Sequence, residues 1–175
     1  MIITKTPFRV SLFGGGTDHP DWFRENGGRV LSFSIDKYCY LSARFLPPFF
    51  EHNYRVAYSI VETEKSFENI RHPVVRECIR KYAPDLNLEI HHDGDLPARS
   101  GVGSSSAFAV GMIQSVLTLQ GRTYNSIELA NMAIDLEHNV LNENVGWQDQ
   151  IACALGGINR IEFGPGDKWS FESLN

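Results

Sequence analysis

Apolar and β-branched residues dominate positions 1–13 and stop at Gly14-Gly15-Gly16, the pattern of a strand that runs into a tight turn. A short helical or irregular piece, Asp18 to Asn26, follows, and Gly27-Gly28 opens two β-rich runs, Arg29–Ile35 and Tyr38–Leu46. The turn-like pair Asp36-Lys37 between them predicts a hairpin, and Pro47-Pro48 ends it. Arg55–Val61 and Leu86–His91 read as further strands, while Pro73–Tyr82 has helical spacing behind a proline suited to a first turn. The second half is more helical: Ser104–Gln120 and Ser126–Val140 are the longest predicted helices, and a strand-like Gly157–Phe163 comes after them.

Strands first and helices later predict an α+β fold, a mixed sheet with helices packed on one face, rather than strict βαβ alternation. The Ser104 helix is apolar nearly all round, with Ala107, Phe108, Val110, Ile113, Val116 and Leu117, which predicts a central, buried position.

Composition narrows the partners. The 175 residues are 42% hydrophobic, enough for one domain with a real core. Sixteen basic against twenty-one acidic residues give a net charge of −5, which argues against a nucleic-acid partner. Cys39, Cys78 and Cys153 are odd in number and form no CxxC pair, so a reducing cytoplasm is the expected location. No stretch approaches the roughly 20 apolar residues of a membrane helix, and neither a signal peptide nor an internal repeat is found.

Three segments could carry chemistry. Pro97-Ala98-Arg99-Ser100-Gly101-Val102-Gly103-Ser104-Ser105-Ser106 stands directly before the buried helix. Glycines allow a ligand close to the backbone and a helix start favours an anion, so Gly101 to Ser106 reads as a phosphate loop; a Gly/Ser turn with an ordinary serine cap fits the same residues. In the second segment, Ile127, Ala130, Ile134, Glu137 and Leu141 repeat at helical spacing, which assigns Glu137 to the core. A carboxylate there needs a cation or a set of donors, and a metal ion or a structural salt bridge would each serve. Asp149, in Gly146-Trp147-Gln148-Asp149-Gln150, is free to face a ligand or to cap a helix. The third segment is Arg9 to Asp18, in which Arg9 points to a different face from Val10 and Leu12, and three glycines leave room beside the backbone. His91-His92-Asp93 reads as a strand end rather than a metal site, and Trp22, Trp147 and Trp169 as packing.

Together these segments resemble the galactokinase, homoserine kinase, mevalonate kinase and phosphomevalonate kinase (GHMP) superfamily. Pro97 to Ala107 is similar to its PxxxGLGSSAA motif, with Val102 for leucine and Ser106 for alanine. Glu137, His138, Gly146, Asp149 and Gln150 match the galactokinase-type EHxxxxxxxGxxDQ. The resemblance implies the N-terminal domain of a GHMP kinase, of the ribosomal protein S5 domain 2-like fold, over 1–175. The family's C-terminal domain, with its third glycine-rich motif, is not found here; a truncated chain is favoured over a partner that supplies it.

It further implies ATP bound along Gly101, Val102, Gly103, Ser104, Ser105 and Ser106, and Mg²⁺ held by Ser105, or its neighbour Ser104, and Glu137. Asp149 would orient or deprotonate the acceptor hydroxyl beside Arg9, and Gly15, Gly16, Thr17 and Asp18 would form the acceptor site. Galactokinases carry Gly-Glu-His-Thr-Asp where this chain has Gly14-Gly15-Gly16-Thr17-Asp18. This form looks more like the D-glycero-D-manno-heptose 7-phosphate kinases, with phosphorylation at the anomeric position; fucose- or galactose-type kinases, or a non-catalytic sensor of the same fold, are the alternatives. Apolar surface left open by a missing domain would favour a homo-oligomer.

Overall fold

The computed structural model describes residues 1–98 and 100–174; Arg99, within the glycine- and serine-rich segment, lies outside the described residues. In chain order the elements are β1 (Ile2–Phe13), α1 (Pro20–Asn26), β2 (Gly28–Phe45), β3 (Tyr54–Ala57), β4 (Val61–Glu64), α2 (Pro73–Tyr82), β5 (Leu88–Gly94), α3 (Ser104–Leu119), α4 (Ser126–Ile134), α5 (Gln148–Leu155), β6 (Ile158–Gly164) and β7 (Lys168–Ser173).

The sheet is mixed, in the order β4-β3-β5-β2-β6-β7, with β1 paired to β2; β3 and β5 are parallel and the other pairs antiparallel. β2 spans 18 residues and replaces the hairpin that Asp36-Lys37 predicts. Opposite it, Pro7 of β1 pairs with Tyr38 and Arg9 with Ser34, so residues 35–37 lie opposite Phe8 alone. The turn-forming pair is thus absorbed as a bulge, because pairing with β1 continues on both sides of it. The bulge also changes which residues face inward, from Val30 and Ser32 to Cys39, Leu41 and Ala43. On β1, Phe8 enters the core and the next residue, Arg9, also turns toward the helices, to a carboxylate on α5.

The α+β expectation holds. Helix α3 lies against β1 and β2, with Ala107, Ala109, Met112, Ile113 and Val116 fully buried. It approaches closely at Gly111, where a Cβ would come within 2.8 Å of Thr6 Oγ1, and Thr4 Oγ1 reaches Ser115 Oγ at 3.0 Å. Ile3 and Lys5, on the other face, are exposed. The predicted Arg55–Val61 strand is instead the hairpin β3–β4, and the predicted Ser126–Val140 helix is α4 followed by a π-helical stretch, Asp135–Val140. The helix α5 and the strand β7 are additional to the sequence reading. All three cysteines are free and buried, and among the described residues no helix is long and apolar enough to cross a membrane.

Candidate active site

Helix α3 begins at Ser104, and Gly103 before it takes a left-handed conformation (φ +74°) that glycine adopts without strain. The start of a 16-residue helix presents N–H groups and the positive end of its dipole. Loop and strand are joined, since Arg9 N–H donates to Val102 O at 3.0 Å and Arg9 Nη1 to Gly101 O at 3.3 Å. A Cβ on Gly103 would lie 3.2 Å from Arg9 Cγ and 3.5 Å from Asp149 Oδ2, so this glycine lets the loop close over the ion pair.

That ion pair is bidentate. Arg9 Nε donates to Asp149 Oδ1 at 2.8 Å and Nη2 to Oδ2 at 2.5 Å. Two residues along β1, Ser11 Oγ donates to Gln148 Oε1 at 2.5 Å. Alternate residues of one strand therefore hold consecutive residues of the first turn of α5.

Glu137 lies in the π-helical stretch, is 1% exposed and faces the serines of α3. Ser105 Oγ donates to its Oε1 at 3.2 Å and Ser106 Oγ to its Oε2 at 2.7 Å, and Gln150 Nε2 also donates to Oε2. π-Helical turns recur at functional sites because they re-aim side chains that a regular helix would point elsewhere. Burial pushes the Glu137 carboxyl above its ordinary pKa, and the Glu143 charge adds to this against the pull of the three donors. Gln150 Oε1 is a buried acceptor with no hydrogen-bond partner among the described residues. A carboxylate, a hydroxyl and an orphaned amide oxygen in one place are the hard oxygen donors that suit Mg²⁺.

The glycine-rich turn after β1 is tied down internally. Thr17 Oγ1 donates to Gly14 O at 2.8 Å and accepts from Arg29 N–H at 3.1 Å. Asp18 is 1% exposed and faces the loop before α5.

Two cavities flank the serines. One, of about 290 Å³, is lined by Arg9, Asp18, Ser105, Ser106, Glu137 and Asp149 among others; Gly15, Gly16 and Thr17 do not line it. The larger, of about 610 Å³, is lined by Ser104, Ser105, Tyr58, His72, His92 and Phe108 among others. Ser105 and Glu143 line both. In the larger cavity the His72 ring stacks on Phe108 at 4.5 Å and the His92 ring meets Phe108 edge-on at 5.0 Å. Burial lowers the pKa of both histidines, and for His72 the neighbouring His92 adds to the effect. Glu62 holds this wall in place: it accepts from Tyr58 Oη at 2.8 Å and from Arg71 N–H at 2.7 Å.

The structure brings together Arg9, Asp149, Glu137 and the serines that the sequence singles out, and adds beside them this aromatic wall, which the sequence reading does not single out. His92 carried a signal only as part of a metal-like run, and among the described residues no group of three His, Cys, Asp or Glu converges as a metal site. Tyr58 follows β3, His72 precedes α2 and Phe108 lies on α3, and no local spacing links them.

A layered α+β domain whose buried helix starts under a glycine- and serine-rich loop, with an Arg–Asp pair and a buried glutamate beside it, matches one family. The family model described as GHMP kinases N terminal domain covers residues 69–157, and the chain belongs to that family. The chain is 31% identical, over 93% of its length, to the D-glycero-alpha-D-manno-heptose 7-phosphate kinase of Campylobacter jejuni, and covers 50% of that protein. It is 27% identical over 88% of its length to the galactokinase of Chloroflexus aggregans, of which it covers 40%. The crystal structure of a D-glycero-D-manno-heptose 1-phosphate kinase from Bacteroides thetaiotaomicron superposes on the whole chain with a TM-score of 0.90 at 25% identity, with 60% of that chain covered. The chain thus spans about half the length of the curated relatives it matches.

Proposed function

We propose that the full-length protein transfers the γ-phosphoryl group of ATP to a sugar hydroxyl, and that residues 1–175 form its nucleotide-binding part. The observation that carries this reading is the bidentate Arg9–Asp149 pair, held against the phosphate-loop glycine Gly103. Phosphoryl transfer asks for alignment of the hydroxyl with the γ-phosphorus and for neutralisation of charge on the phosphate oxygens.

In this reading the Gly101–Ser106 loop holds the phosphates and the larger cavity, open to Ser104 and Ser105, takes the nucleobase against His72 and Phe108. Ser105 and Glu137 hold Mg²⁺, with Gln150 in reach; bound there, the ion supplies positive charge to the phosphate oxygens. Asp149 orients the acceptor hydroxyl and receives its proton as the new O–P bond forms and the bond to the ADP oxygen breaks. Arg9 fixes the Asp149 carboxylate and adds positive charge beside the transferring group. A heptose phosphate is the favoured acceptor, phosphorylated at the anomeric position, because the chain carries Gly14-Gly15-Gly16-Thr17-Asp18 and its relatives include heptose phosphate kinases. The partners are then ATP and a small sugar or sugar phosphate.

The test is ADP release by the full-length protein with Mg-ATP and, in turn, D-glycero-D-manno-heptose 7-phosphate, mannose, fucose and galactose. Turnover of the heptose phosphate, lost in Asp149→Asn, supports both chemistry and acceptor. Turnover of a different sugar alone overturns the acceptor, and no ADP with any of them overturns the reading in favour of a sensor.

A further inference from the structure

The motif resemblance gives Asp18 to the sugar, yet its carboxylate is occupied by protein donors. Oδ1 accepts from Gly16 N–H at 3.0 Å and from Gln148 Nε2 at 3.3 Å, and Oδ2 accepts from Gln148 N–H at 3.1 Å. The Asp18 backbone carbonyl accepts from Trp147 N–H at 3.1 Å. Gly146 lies flat against the same carboxylate, where a Cβ would stand 1.9 Å from Oδ2. These contacts seal the glycine-rich turn to the start of α5, 130 residues further along the chain.

The position is informative. Gln148 is the first residue of α5, and Trp147 before it makes no side-chain cap. Asp18 supplies that cap from another part of the chain, where an anion is favoured by the free N–H groups and the dipole. Asp149 and Gln150, which meet Arg9 and Glu137, are the next two residues of the same turn. We propose that Asp18 is a positioning residue: it clasps the first turn of α5 and thereby sets Asp149 against Arg9 and Gln150 against Glu137. This rests on the phosphotransfer reading above. It also separates two roles that the motif alone merges, since an acceptor contact acts on sugar affinity and a clasp acts on the alignment of Asp149.

Asparagine distinguishes them. An amide still hydrogen-bonds sugar hydroxyls, but in the clasp both oxygens accept from N–H groups, and an NH₂ in place of either sets donor against donor. The experiment is steady-state kinetics of the full-length protein and its Asp18→Asn and Gly146→Ala variants with Mg-ATP and the sugar it turns over, alongside NMR amide exchange of each. The expected result is a kcat lower by tenfold or more in both variants, with KM for sugar and for ATP within twofold of wild type. Protection of the Gly16 and Gln148 amides is lost in Asp18→Asn, while that of α3 is kept. A tenfold rise in sugar KM with kcat retained would make Asp18 an acceptor contact and overturn the proposal, as would unchanged kinetics. A wild-type protein that releases no ADP with any sugar overturns the phosphotransfer reading and the positioning role with it, and the amide exchange still reports whether the clasp exists.

Discussion

Arg9 and Asp149, 140 residues apart, meet through two parallel hydrogen bonds of 2.8 and 2.5 Å, beside Gly103, the residue before helix α3. A guanidinium fork fits both carboxylate oxygens at once, so the pair fixes direction as well as charge. Asp149→Asn keeps the shape but removes the carboxylate proposed as proton acceptor. Turnover of the full-length protein is expected to fall by about 10² to 10⁴-fold if that role is right, with ATP affinity nearly unchanged in an equilibrium binding measurement. Arg9→Lys keeps a charge and loses the fork, and is expected to cost more in kcat than in KM.

Gly103 allows that pair to sit where it does. Gly103→Ala forces a Cβ into a left-handed backbone and against Arg9 Cγ and Nε at 3.2 and 3.3 Å. A loss of about 1 to 2 kcal/mol in unfolding free energy by denaturant titration is expected from the backbone alone. Nucleotide affinity is expected to fall as well, because the loop must move to relieve the contact.

Glu137 has its pKa raised by burial, so ionisation works against folding. A carboxyl whose folded pKa lies above its unfolded value contributes most below the unfolded value and loses that contribution as pH rises through the folded one. In the absence of metal, Glu137→Gln is therefore expected to be more stable than the parent at pH 8 in denaturant titration and to differ little at pH 4. The same variant is expected to lose the extra thermal stabilisation that Mg-ATP gives over ATP alone, which scanning fluorimetry with and without chelator reads directly.

The His72–Phe108–His92 wall predicts acid sensitivity. Both histidines have pKa values lowered by burial, so their neutral forms are the ones that fit the fold. A histidine with a folded pKa below its unfolded value keeps its contribution above about pH 6.5 and loses it as pH falls. The melting temperature is expected to decline from pH 6.5 to 5. His72→Phe keeps a ring on Phe108 and cannot charge, and it is expected to flatten that decline by about half, with His92 responsible for the rest.

The ends and types of several elements were legible in the chain. Pro73 at a first turn and a helix that opens at Ser104 behind Gly103 are local signals, because caps and proline act on their own neighbours. Glu137 was legible as a buried position because helical spacing places it among apolar residues. Asp36-Lys37 misled, because a turn-forming pair states what the backbone can do and not what its partner strand permits.

What the sequence determined by itself was therefore the layered α+β class, the glycine- and serine-rich turn into a buried helix, the core placement of Glu137 and the family, all carried by periodicity or by short motifs. The tertiary structure decided the rest. It showed that Arg9, beside the bulge in β2, turns toward Asp149, that a π-helical turn aims Glu137 at Ser105 and Ser106, that the Asp18 carboxylate accepts from α5, and that His72 and Phe108 form one wall. Each of these depends on contacts between residues roughly thirty to more than a hundred positions apart. Such contacts are set by how strands pair and helices pack, and a chain read in order carries no local term for them.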